Sequence, residues 1–190
     1  GVEDRGEARL QAFLERFMAR RLGPLLPGTE AEEAALTAGD APARGLLYRL
    51  REGMGQVGAA EAAEQVAALS DDGRKALTRA GVRFGMDWIY LNGALAPKAM
   101  RAKAILWAAW HGRPTPAVPN APAPVLEASL APEEAWGALG YRVCGPLALR
   151  LDRWERLAAD LRRRARKGPL AADDALMQAI GIDPAGEALP

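Results

Sequence analysis

Five prolines stand within residues 112–124 (GRPTPAVPNAPAP). Each fixes φ and removes a backbone N–H, so neither a helix nor a central strand can run through this stretch. The chain must fold as two parts, one on either side of it. The stretch itself reads as an extended, semi-rigid linker over 114–124, with a domain boundary there. With 49% of 190 residues apolar, each side can bury a core.

Upstream, the periodicity is helical. Leu10, Phe13, Leu14, Phe17, Met18 and Leu22 recur at three and four residues, which predicts an amphipathic helix stopped at Gly23-Pro24. A second helix is expected near 30–37. A third should start after the N-cap Asp40, with Pro42 in its first turn and Leu46, Leu47 and Leu50 on its buried face. Residues 59–69 have good helix propensity, and Ser70-Asp71-Asp72 opens another helix closed by Gly81. VRFGMDWIY alternates, predicting an extended segment near 82–91 with Val82, Phe84, Met86 and Trp88 on one side. Past the Asn92-Gly93 turn, a helix is expected from Pro97 to about Trp110.

Downstream, the pattern predicts a short helix at 132–139, a strand pair at YRVCG and PLALR, a basic helix over 152–167 and a short helix near 173–180. The expected fold is therefore mainly α: a helical accessory domain over 1–113, the linker, and a small helix-hairpin-helix unit, winged-helix-like, over 125–190. The ending DPAGEALP starts like a capped helix and stops, which reads as a truncation. No repeat is visible at the usual solenoid periods.

No apolar run reaches the roughly 18–20 residues of a membrane span, and GVEDRGEARL is too charged for a signal peptide. The single cysteine, Cys144, forms no intramolecular disulfide and reads as a small buried hydrophobe in a reducing compartment. The expected location is the bacterial cytoplasm, without membrane contact. A phosphate-cradling P-loop needs Gly-Lys-Ser/Thr, and the chain contains no Gly-Lys dipeptide. With one histidine, one cysteine and two serines, neither a serine triad nor a His/Cys zinc site can be assembled. Asp71/Asp72 and Asp173/Asp174 are adjacent pairs whose side chains diverge by about 100° on a helix, so helix-start duty accounts for them. No catalytic residue, metal ligand or cofactor site is assigned.

A near-neutral total hides segregated charge. Residues 71–113 carry eight cations against three acids, and 150–167 again eight against three. In the first segment Arg74, Lys75, Arg79, Arg83, Lys98, Arg101 and Lys103 alternate with aromatics. In the second, Arg153, Arg156, Arg162, Arg163, Arg164, Arg166 and Lys167 surround a stripe of Trp154, Leu157 and Leu161. Cations neutralise phosphates and aromatic faces stack on unpaired bases, so both segments are candidate contacts for single-stranded nucleic acid. Trp88, Tyr90 and Trp110 are candidate stacking platforms, whereas Trp107 is expected in the core. The bland reading of the second segment is a solvated helix end.

Two runs resemble a known family. ALTRAGVRFGMDWIYLNGALAPKAMRAKAILWAAW (76–110) is similar to a C-terminal stretch of superfamily-two helicases of the mitochondrial degradosome RNA helicase type, notably alphaproteobacterial members. Gly81, Val82, Arg83, Phe84, Gly85, Tyr90, Leu91, Leu95 and Pro97 carry the match. YRVCGPLALRLDRWERLA (141–158) resembles a downstream run of the same family through Tyr141, Arg142, Gly145, Arg150, Asp152, Glu155, Arg156 and Leu157. Asn92 and Ala96 depart from the pattern, which has Pro and Lys there. The resemblance implies an accessory region, not itself an enzyme, of an ATP-dependent helicase whose ATP and magnesium sit in separate motor domains. It also implies RNA as the partner strand, with the motor domains or an exoribonuclease as protein partners. The alternative function is a docking scaffold for the helicase core or that exoribonuclease.

Overall fold

The computed structural model describes residues 40–119, 121 and 123–168. The helices expected near 3–22, 30–37 and 173–180 lie outside them.

Asp40 caps the first helix, α1 (Ala41–Glu52), by accepting from the Ala43 N–H at 3.0 Å, and Pro42 sits in its first turn. Its Ala43, Leu46, Leu47 and Leu50 are buried, the i, i+3, i+4, i+7 stripe that the spacing dictates. Next come strand β1 (Gln56–Gly58), the short helix α2 (Ala63–Ala67) and helix α3 (Asp71–Arg79). Ser70 caps α3 through the Gly73 N–H at 2.9 Å and donates its hydroxyl to Asp40 at 2.6 Å, so the two caps are tied together. Strands β2 (Val82–Phe84) and β3 (Trp88–Leu91) close the unit as an antiparallel sheet of order β1-β3-β2. The register places Val57, Val82, Ile89 and Leu91 on one face, against α1 and α3. Gln56, Arg83, Trp88 and Tyr90 occupy the other face.

A 3-10 turn at Asn92–Leu95 leads into α4 (Pro97–His111), closed by left-handed Gly112. Beyond the prolines come β4 (Val125–Glu127), α5 (Glu133–Leu139), β5 (Tyr141–Cys144), β6 (Leu147–Arg150) and α6 (Leu151–Ala165). The second sheet, also antiparallel, has the order β4-β6-β5. One face, with Tyr141 and Ala148, packs on Met100, Ala104 and Trp107 of α4 and on Trp136 and Leu139 of α5. The opposite face, with Leu147 and Leu149, is covered by Leu157 and Leu161 of α6.

Three expectations are corrected. The chain is not mainly α with one small α/β unit; among the described residues it is a mixed α/β fold with six helices and two three-stranded antiparallel sheets. Strands β1 and β4 are three residues long, too short to alternate visibly, and become strands only by pairing with the central β3 and β6. VRFGMDWIY does not run as one strand either. Gly85 turns the chain and its N–H donates to the Trp88 carbonyl at 2.8 Å, so Trp88 lies on the face opposite Val82 and Phe84. Cys144 is exposed, at the hairpin end of β5.

The same order of helix, strand, helical turn, helix and hairpin occurs twice, each time with the last strand in the middle of its sheet. Left-handed glycines, Gly81 (φ 94°) and Gly140 (φ 86°), precede both hairpins. The Pro-rich segment is packed rather than free. Val118 contacts the α4–α5 core, the Tyr141 hydroxyl donates to the Ala123 carbonyl at 2.7 Å, and Arg150 N–H donates to the Pro124 carbonyl at 2.9 Å. Thus α4, on the N-terminal side of the prolines, shares its core with elements on their C-terminal side.

Candidate nucleic-acid interface

The polar face of the first sheet is where the two units meet. Tyr90 is buried against Leu95 and Leu151, with Trp88 beside them. The Arg142 guanidinium lies over the Trp88 ring, 3.5 Å from its centroid. The Gln56 side-chain amide donates to the Gly137 carbonyl across the junction. At the β2–β3 loop, the Glu155 carboxylate of α6 accepts three backbone N–H groups, from Met86 at 2.6 Å, Asp87 at 3.1 Å and Trp88 at 2.7 Å. A Cβ on Gly85 would collide with that carboxylate and with the Trp88 carbonyl oxygen, so this loop conformation needs glycine there. Arg162, one helical stretch further along α6, pairs with Asp87 at 2.6 Å. That hydrogen bond holds the Arg162 guanidinium above its ordinary pKa.

A groove opens on each side of this junction. On the β2 side, Arg83, Tyr90, Asn92, Asp152, Glu155 and Arg156 line about 450 Å³. The acids there are engaged: Glu155 by the loop amides, Asp152 by a bidentate pair with Arg150 at 2.7 and 3.0 Å. Burial pushes the Asp152 carboxyl up, but the Arg150 hydrogen bond and the charges of Arg150, Arg153 and Arg156 outweigh it and leave the pKa lowered. Tyr90 is raised, by burial first and then by Asp152 and Glu155. Among the described residues Arg83 donates to the backbone carbonyls of Thr78 and Val82. Neither Arg83 nor Arg156 forms an ion pair among the described residues. On the β1 side, a groove of about 600 Å³ is lined by Arg49, Gln56, Glu61, Trp88 and Arg142, among others.

The sequence-derived candidates distribute unevenly. Arg74, Lys75, Arg79, Arg83, Lys98, Arg156, Arg162, Arg163, Arg164, Arg166 and Lys167 lie at the surface, while Arg101 and Arg153 are half-buried. Arg74 stacks over Phe84 at 4.5 Å, Lys75 pairs with Asp72 at 3.5 Å, and Arg163 with Asp160 at 2.5 Å. Lys103 is not a surface cation. It is 1% exposed on the stripe Met100, Lys103, Ala104, Trp107 that faces α5, and burial lowers its pKa to about 8. Its amine lies beside Gly140, where a Cβ would approach it to 3.4 Å. Tyr90 is a core residue rather than a stacking platform. Trp88 is half-buried with one partner already on its ring, and Trp110 is 86% exposed. Trp107 is buried, stacked on His111 at 4.5 Å.

Three residues that organise the junction draw no role from the sequence. Gln56 and Asp87 lie in short or irregular segments without periodic signal, and Glu155 belongs to the family-like run at 141–158 without a role attached to it.

Among the described residues there is no cluster of His, Cys, Asp and Glu able to hold a metal, and no helix is long and apolar enough to cross a membrane. The chain matches no protein-family model, no curated protein and no solved structure.

Proposed function

We propose that this chain is a nucleic-acid-binding accessory region of an ATP-dependent helicase of the bacterial cytoplasm, guiding a single strand, RNA by the resemblance, as it leaves the motor. Catalysis, ATP and magnesium belong in this reading to motor domains outside these 190 residues. The observation that carries it is the convergence of the two basic segments at one junction. Arg83 from the first and Arg156 from the second line the same groove, whose acids are already committed to Arg150 and to the loop amides. A phosphate entering the groove therefore meets two guanidinium groups with no carboxylate partner, the arrangement that binds it most strongly. Arg162, paired with Asp87, and the exposed Arg166 and Lys167 add positive charge at the far end of α6.

The test is anisotropy of a labelled single-stranded RNA between about 50 and 200 mM salt. Affinity should fall steeply with salt, and Arg83→Gln/Arg156→Gln should flatten the logarithmic slope by about 1.4, at about 0.7 per phosphate contact on a single strand. A slope identical to that of the parent chain would remove the groove from the strand path.

A second reading, a scaffold docking the helicase core or an exoribonuclease, is favoured by α4. Ile105 (60% exposed) and Trp110 are large apolar side chains left in solvent on the helix that also carries Lys98. Ile105→Ser/Trp110→Ser should abolish docking of the motor domains and leave RNA affinity unchanged if this reading holds.

A further inference from the structure

We propose that the groove on the β1 side of the junction is a nucleobase site, which takes the planar ring of one unstacked base from the strand. The inference rests on the strand-binding reading for the origin of its ligand, but its evidence is separate, because no residue of the β2-side groove takes part.

Four features converge there. The groove, about 600 Å³, is large enough for a purine ring and open to solvent along the junction. Its wall contains an aromatic ring, Trp88, with the planar Arg142 guanidinium stacked on it. Arg142 occupies a face of the Trp88 ring that a planar base can take in its place, since aromatic rings accept a stacked base. Arg142 forms no ion pair among the described residues, and burial lowers its pKa. Finally, two polar atoms of this wall have no hydrogen-bond partner: the acceptor Gln56 Oε1 and the donor Arg142 Nε. Buried polar atoms are nearly always paired, and an orphan donor and an orphan acceptor on two residues lining one groove call for a ligand carrying the complementary pair. Both atoms are covered in the free protein, so each side chain must turn outward as the ligand enters.

Every nucleobase offers a donor next to an acceptor along its pairing edge. The site therefore distinguishes base from backbone without choosing among bases. With Arg142 turned off the indole, the base stacks on the Trp88 ring in its place, Arg142 donates edge-on to a ring nitrogen or carbonyl, and Gln56 accepts from the base's N–H. Phosphates are left to Arg83, Arg156 and α6. A sugar phosphate offers no ring to stack and gains little here.

The experiment titrates the chain with AMP, UMP and ribose 5-phosphate while observing the indole N–H resonance of Trp88, assigned by comparison with Trp88→Phe. It then measures RNA affinity against salt for Gln56→Leu and Arg142→Lys, each first shown to melt as a folded protein. Expected results are a saturable Trp88 shift with both nucleotides and none with ribose 5-phosphate. Each variant should weaken RNA by about tenfold with an unchanged salt slope, since a base contact releases no counterion. Equal shifts from ribose 5-phosphate, no shift from any nucleotide, or a loss of salt slope in Gln56→Leu would each overturn the base site. Nucleotide binding without strand binding would instead sink the strand-guiding reading and leave this site standing.

Discussion

Removing the Glu155 carboxylate should release α6 and the second unit from the β2–β3 loop. The carboxylate is 8% exposed and takes three N–H donors within 3.1 Å. Hydrogen bonds to charged groups contribute about 1.5–3 kcal/mol each, but three bonds to one carboxylate share a single desolvation cost, and truncation admits water to the freed amides. We therefore expect Glu155→Ala to cost about 3–5 kcal/mol, a large fraction of the roughly 5–15 kcal/mol typical of a domain. Glu155→Gln is the sharper probe. Its oxygen can still serve Asp87 and Trp88, while its NH2 replaces the oxygen that accepts from Met86 and confronts that N–H, for an expected loss of about 2–3 kcal/mol. The assay is urea unfolding combined with amide exchange at Met86, Asp87 and Trp88, which should lose protection together in both variants. Losses under about 1 kcal/mol with the three amides still protected would refute the idea that this clamp holds the units together.

Alkaline stability should pass through a maximum near pH 10. Lys103 titrates near 8 when folded and near 10.5 when unfolded, so between those values the unfolded chain holds a proton the folded one lacks, and stability rises with pH by at most about 3 kcal/mol. Burial pushes Tyr141 up to about 12, so above about pH 10 the folded chain holds the extra proton and stability falls, with Tyr90 adding to the fall. Chemical denaturation against pH should show Lys103→Met removing the rise and Tyr141→Phe reducing the fall; a flat profile would contradict both assignments. Trp107→Ala should cost about 3–5 kcal/mol by opening a cavity, and Trp110→Ala under about 0.5 kcal/mol, both read from unfolding midpoints. Replacing Arg162, Arg163 and Arg164 with Gln should lower RNA affinity and salt slope, because these side chains are exposed on α6; unchanged binding would mark that helix end as a solvated surface.

Wherever one helical turn carries the signal, residue order alone decides the outcome. Asp40 and Ser70 cap the helices their side chains can reach, the stripe from Ala43 to Leu50 faces inward, and Pro97 opens a helix that ends at a left-handed glycine. The hairpin at 141–150 is legible for the same reason, since Gly145-Pro146 supplies a two-residue turn between its two strands. The two sheets are not legible as a pair, because β1 and β4 have three residues each and owe their strand character to partners at least twenty residues away. Nor is the twofold recurrence of topology, which resides in pairing order and not in any spacing of residue types. Charge tells which segments are basic but not which cations reach solvent. Lys103 lies on the face that α5 covers, whereas Arg83, on an edge strand of the face that meets the second unit, stays in solvent, and a helix or strand acquires an inside only when a neighbour packs against it. The junction belongs wholly to tertiary structure: Glu155 meets the amides of residues 86–88 because packing brings two distant segments within hydrogen-bond reach, and contacts of that range leave no local periodicity to read.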